Sequence, residues 1–84
     1  MTIVFNKRLG IIKGIFSGEL QTMDVLYGDE ASDFKLIWDE VLLPDDENVL
    51  RNPGNFKINV DNYPNSVFLE ILPQVNNYPV AASN

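Results

Sequence analysis

Carboxylates are the only side chains in this 84-residue chain plentiful enough for proton chemistry: it has twelve Asp and Glu, no histidine and no cysteine. Lacking histidine, it lacks the commonest general base and the commonest transition-metal ligand. Lacking cysteine, it has no disulfide, thiolate metal site or thiol nucleophile. The carboxylates gather at Asp39-Glu40 and at Asp45-Asp46-Glu47. Two carboxylates about 5–9.5 Å apart can hydrolyse a glycoside. Neighbours along a strand, however, point to opposite faces, so Asp39 and Glu40 should diverge. Asp45, Asp46 and Glu47 offer the hard oxygen ligands that Ca²⁺ prefers, but without the D-x-[DN]-x-[DN]-G spacing of a calcium loop, and a solvated turn explains them as well. Gly10 and Gly14 are not followed by the lysine and helix of a phosphate loop. No catalytic, cofactor-binding or metal-ligating residue is expected, and the chain reads as a non-enzymatic protein.

Binding chemistry offers more. Trp38 is the only tryptophan, either a core residue or a partner's anchor, since Trp is enriched at interaction hot spots. The aromatics Phe5, Phe16, Tyr27, Phe34, Tyr63 and Tyr78 do not alternate with bases, so a stacking platform for single-stranded nucleic acid is not supported. Apolar doublets at Ile11-Ile12, Ile15-Phe16 and Leu42-Leu43 place apolar side chains on both faces of their strands. A small chain often buries such surplus against another subunit, and open strand edges invite pairing with a further chain. The candidate partner-binding residues are therefore Ile12, Phe16, Trp38, Tyr78 and Val80.

Charge is unevenly placed. Residues 1–18 carry three cations and no acid, residues 19–47 carry ten acids and one lysine, and the remainder balances, for a net −6. That middle segment repels DNA and anionic membrane faces, so neither is an expected direct partner. Net charge also keeps a small protein soluble. The sharper alternative is an acidic inhibitor or nucleic-acid mimic binding a basic protein through Asp39, Glu40, Asp45, Asp46 and Glu47. No segment approaches the ~20 apolar residues of a membrane span. The N-terminus lacks the order of a signal peptide, its charges following the apolar run. The expected location is the cytoplasm, or a particle assembled there.

The elements that must position these residues are short. Thr2–Phe5 and Ile11–Phe16 flank a polar stretch ending in Gly10 and predict a hairpin, with Gly14 marking a bulge or a close backbone approach. Leu20, Met23, Leu26 and Tyr27 share a helical face over 19–27, with Ser17 as a possible cap and Gly28 as the stop. Residues 29–33 form a turn or one helical turn. Lys35–Leu43 is rich in strand formers, and Asp39-Glu40 predicts a bend or two strand pieces. Glu47–Asn52 reads as one helical turn capped by Asp45 or Asp46 and ended by Pro53-Gly54. Phe56–Val60 alternates as a half-buried strand, and Val67–Leu72 closes a second hairpin with it.

The class is thus strand-dominated α+β: about five short antiparallel strands in two hairpins, one or two short helices, and a small sheet or partly open barrel. Residues 1–72 form one globular domain and 73–84 a tail or arm, uncharged, with Tyr78 and Val80 as its anchors. A composition of 45% hydrophobic and 21% charged residues is that of a folded chain. The expected core comprises Val4, Phe5, Ile11, Ile15, Leu20, Met23, Leu26, Ile37, Trp38, Val41, Leu43, Leu50, Phe56, Ile58, Val60, Phe68 and Ile71.

The stretch Asn6-Lys7 leading to Gly10-Ile11-Ile12-Lys13-Gly14 resembles the start of many small phage and prophage proteins. Val49-Leu50-Arg51-Asn52-Pro53 followed by Phe56-Lys57-Ile58 has a similar character. The resemblance spans about the first sixty residues, points to no named family and supplies no functional residues. It implies a virion accessory piece (a capsid, neck or tail component) or a small host-directed protein. Together these readings favour a structural or interaction protein whose partners are other protein subunits, as a homo-oligomer or within a larger assembly.

Overall fold

The computed structural model describes residues 1–73. Five strands form two antiparallel sheets. In the first, β1 (Thr2–Asn6) lies between β2 (Ile12–Phe16) and β3 (Trp38–Leu42). The second pairs β4 (Phe56–Asn59) with β5 (Phe68–Ile71). Two short helices, α1 (Met23–Tyr27) and α2 (Ala31–Phe34), are joined by a 3₁₀ turn, and α3 (Glu47–Arg51) follows β3. The architecture is a small strand-rich α+β fold of two open sheets, without barrel closure. Among the described residues no helix is long and apolar enough to cross a membrane.

β1 organises everything else. Thr2, Ile3, Val4 and Phe5 are all at most 1% exposed, so both faces of the strand are covered. Strand alternation sends Ile3 and Phe5 one way, into a cluster with Met1, Val49, Phe56 and Ile58. Val4 points the other way, to Met23 and Ala31. The first face is thus roofed by α3 and the second sheet, the other by the helical segment. A strand buried on both faces needs a continuous apolar run, and Thr2-Ile3-Val4-Phe5 supplies one apart from Thr2. The Thr2 hydroxyl is satisfied: it accepts from the Gln21 N–H at 2.9 Å and donates to the Glu19 carbonyl at 3.4 Å.

That pair of bonds holds residues 19–21 along the sheet. The helix therefore starts later than periodicity predicts, at Met23, with Thr22 rather than Ser17 as its cap, and Leu20 is left 48% exposed. Gly28 ends α1 at φ +57°, as expected, and the chain continues through the 3₁₀ turn into α2. β3 is one unbroken strand, not two pieces. Asp39 and Glu40 lie opposite Phe5 and Val4 of β1, and each carboxylate finds a partner on its own side of the sheet. Asp46 caps α3 as predicted, accepting from Asn48 N–H at 2.9 Å.

Two features of the first hairpin follow from its glycines. Val4 pairs with Gly14 and Phe5 with Ile12, so Lys13 is the bulged residue, one place before Gly14. Gly10 sits at φ +77°, and its carbonyl accepts the Ile58 N–H at 2.8 Å, tying the second sheet to the hairpin tip. A Cβ at Gly10 would stand 1.8 Å from the Ile58 carbonyl oxygen.

The core is narrower than the periodicity implies. Ile11, Leu20, Ile37, Phe68 and Ile71, expected inside, are between 48% and 69% exposed. Ile11, Leu20, Ile37 and Ile71 lie at a sheet end or in the connection beside it, and Phe68 lies on the outer face of β4–β5. Met1, Ile3, Ala31 and Val49, which were not expected, are buried instead.

Replacing Gly10 with Ala should cost about 3 kcal/mol or more, since left-handed backbone strain and a collision with the β4 backbone add together. Gly28→Ala, strained but with open space around it, should cost only about 1–2 kcal/mol. Urea denaturation of both variants checks the difference, and equal costs would mean that the β4 contact is not rigid.

Candidate functional site

The two carboxylate groups singled out by chemistry are built by different elements and do not converge. Asp39 faces the second sheet. Its Oδ2 accepts the Tyr63 hydroxyl at 2.6 Å, and its Oδ1 accepts the Glu40 N–H at 2.8 Å. Because residues 1 and 43, and 7 and 37, are bonded across the ladder, alternation turns the Glu40 N–H to the open side of β3. Asp39 therefore closes part of that strand edge, as natural sheets commonly do to discourage pairing. Glu40 faces the helices and accepts the Met23 N–H at 3.1 Å, at the start of α1. The expected divergence of the pair is observed, and neither carboxylate faces a shared cleft.

Tyr63 stands in the turn between β4 and β5. Its ring packs edge-on to Phe5, with centroids 5.9 Å apart and an 83° interplanar angle. Burial, the bond to Asp39 and the negative charge of Asp39 and Glu40 push its phenol up to about 12. The Tyr27 phenol is also raised, by burial.

Asp45, Asp46 and Glu47 also hold separate partners. Asp45 Oδ1 receives the Met1 ammonium at 2.5 Å, and both its oxygens lie within 3.3 Å of the Gly18 N–H. The ammonium bond first, and then the Gly18 N–H, hold this carboxyl below its usual range. Asp46 caps α3, and Glu47 pairs with Arg51 at 3.0 Å one helical turn on. Among the described residues no three acidic side chains converge as ligands for a metal ion.

The proposed anchors have different settings. Ile12 is half-buried, opposite Phe5 in the ladder, and lines a groove of about 410 Å³ with Leu9, Ile11, Phe56 and Leu72. Phe16 and Trp38 are half-buried against the cluster of Val4, Met23 and Ala31. A Cβ at Gly14 would stand 3.2 Å from the Phe16 ring, so Gly14 makes room for that side chain. The Lys13 ammonium lies 5.1 Å from the Phe34 centroid and 5.2 Å from that of Trp38, within cation–π range of both. Trp38 is thus a wall residue with its ring engaged by a cation. Tyr78 and Val80, with the arm to which they belong, lie outside the described residues.

Sequence reasoning did not name several exposed apolar residues as candidates. Leu9 and Phe68 are 60% and 54% exposed, and Val25 and Leu36 reach 72% and 77%. For Leu9 a signal was present: an apolar residue between Arg8 and Gly10 in a predicted turn has no core to enter. For Phe68, alternation alone carries the information, since it lies opposite Asn59 on the outer face of β4–β5.

Comparison with protein-family models, with curated proteins and with solved structures finds no match for this chain.

Spectrophotometric titration should show the Tyr63 step only near pH 12, and Tyr63→Phe should delete that last step while costing about 1–2 kcal/mol for the lost bond to Asp39. Since the folded phenol ionises later than the unfolded one, near 10, its contribution to stability is complete below pH 10 and fades as pH rises toward 12. For Asp45 the sign is reversed. Its lowered folded value contributes stability that is present above the ordinary carboxyl range and lost as acid titrates the folded group. Asp45→Asn should flatten that part of the acid-unfolding profile, and an unchanged profile would remove the ammonium bond from the account.

Proposed function

We propose that this chain is a non-enzymatic structural or interaction protein, an accessory subunit of a larger protein assembly such as a phage particle. One observation carries the reading. Among the described residues nine large hydrophobic side chains are exposed, against nine apolar residues in the core. Scattered exposed apolar residues are ordinary. Here six of the nine line grooves at the sheet ends, in a domain with little apolar surface to spare, and such patches mark interaction sites. The resemblance to small phage and prophage proteins suggests the kind of assembly.

The acidic-decoy alternative draws less support. Each of its five carboxylates has an intramolecular partner: a tyrosine, a helix start, an ammonium, a cap and an arginine. Asp39 and Glu40 are also half-buried. Carboxylates so engaged still supply charge at the rim of an apolar contact, but not the set of direct ion pairs on which a decoy would depend.

The test is sedimentation of the tagged chain from its source cell. The assembly reading expects it in fractions far heavier than 9.5 kDa, and held there at high salt, because apolar contacts are not screened. Tyr78→Ser with Val80→Ser should move it toward the free fraction without changing the melting temperature of the purified protein. Recovery of the unaltered chain only at its own mass would overturn the assembly reading. Release from a heavy fraction by salt would favour the acidic decoy.

A further inference from the structure

Six of the nine exposed apolar side chains line grooves at the two ends of the first sheet, and the grooves at each end carry side chains of one sign of charge. β1 runs from Thr2 to Asn6, which separates the ends by about 13 Å of strand rise. At the hairpin-tip end, Leu9, Ile11 and Ile37 are 60%, 54% and 53% exposed. They line two adjoining grooves of about 410 and 450 Å³ whose charged members are Lys57 and Arg8, with no carboxylate. At the Met1 end, Leu20, Leu42 and Phe68 are 48%, 51% and 54% exposed. They line two further grooves, of about 430 and 290 Å³, whose charged side chains are Glu19, Asp45 and Asp46, with no basic side chain. The one cation there, the Met1 ammonium, is already bound to Asp45.

We infer that the hairpin-tip end of one copy docks on the Met1 end of a second copy of this chain, head to tail. This deepens, and rests on, the reading of the chain as an assembly subunit, and it names the first partner. Two copies meeting tip to tip would bring Arg8 and Lys57 against their own likenesses. Two Met1 ends would oppose Glu19 and Asp46 in the same way, and like charges facing one another at an interface carry a penalty. Head-to-tail contact removes both conflicts: apolar triads meet at the centre, with cations facing carboxylates around them. A contact between two different surfaces of the same chain does not saturate in a dimer. It continues until a ring closes or a filament grows.

The test uses two full-length double variants, each spoiling one end at exposed positions. Arg8→Glu with Leu9→Ser blocks the tip, and Glu19→Lys with Leu20→Ser blocks the Met1 end, and circular dichroism confirms that both fold. By light scattering, the unaltered chain should rise in mass with concentration. Each variant alone should stay at 9.5 kDa, its self-association weakened about a hundredfold or more. Mixed in equal amounts, the variants should form a heterodimer of twice that mass and grow no further, because each retains the end that the other lacks. A mixture that stays monomeric overturns the inference, as does an unaltered chain that is monomeric throughout. A variant that still dimerises alone replaces it with a symmetric contact. A monomeric purified chain that nonetheless sediments in heavy fractions of the source cell would end the head-to-tail contact and leave the assembly reading standing.

Discussion

The covering of β1 is the constraint on which the rest of the molecule depends. A central strand with four consecutive residues closed to solvent needs neighbours on both edges and layers on both faces. β2 and β3 take the edges. The helical segment takes the Val4 face, and α3 with the second sheet takes the Ile3 and Phe5 face. Even the ammonium ahead of the strand is enclosed, held by the Leu43 carbonyl and Asp45. The polar groups drawn into this arrangement are satisfied: among the described residues no buried side-chain nitrogen or oxygen lacks a partner. An unpaired group there would cost about 1–3 kcal/mol, a large fraction of the stability of so small a domain.

Three thin layers around one strand leave the sheet ends uncovered. The covering elements are only four or five residues long, long enough to roof the middle of the sheet but not its tips. The acids in this region serve to connect layers. Asp39 joins β3 to the second sheet through Tyr63, Glu40 joins β3 to α1, and Asp45 joins the loop after β3 to both Met1 and Gly18. Carboxylates that look like chemistry in the sequence are cross-braces in the fold, and the surface left for encounters is mainly apolar.

The sequence made the local structure legible where short-range rules decide it. The first hairpin, the strand alternation of Phe56 and Ile58, the second hairpin and the Asp46 cap all follow from residue type and spacing. The start of α1 was not legible, because it is set by Thr2, whose hydroxyl accepts the N–H of Gln21, 19 positions later. Nor was the outer limit of the core. Ile11 and Ile37 have the composition of core residues, and only the extent of the neighbouring layers determines that they lie outside. Of the candidate anchors, Ile12, Phe16 and Trp38 lie at the margins of the packed clusters. Their half-buried positions depend on long-range packing, which periodicity does not encode.

The burial of β1 also bears on how the protein is made. Chains emerge from the ribosome N-terminus first, so β1 is synthesised before everything that covers it. Its partner on one edge begins 36 positions after Thr2, at Trp38, and the strand that completes its first face lies later still, at Phe56–Asn59. Until those segments emerge, Ile3, Val4 and Phe5 have only β2 beside them, and the strand keeps one open edge of the kind that seeks any available partner. The nascent chain is thus at its most adhesive between the emergence of β1 and that of the last described strands, which convert that stickiness into a closed interior.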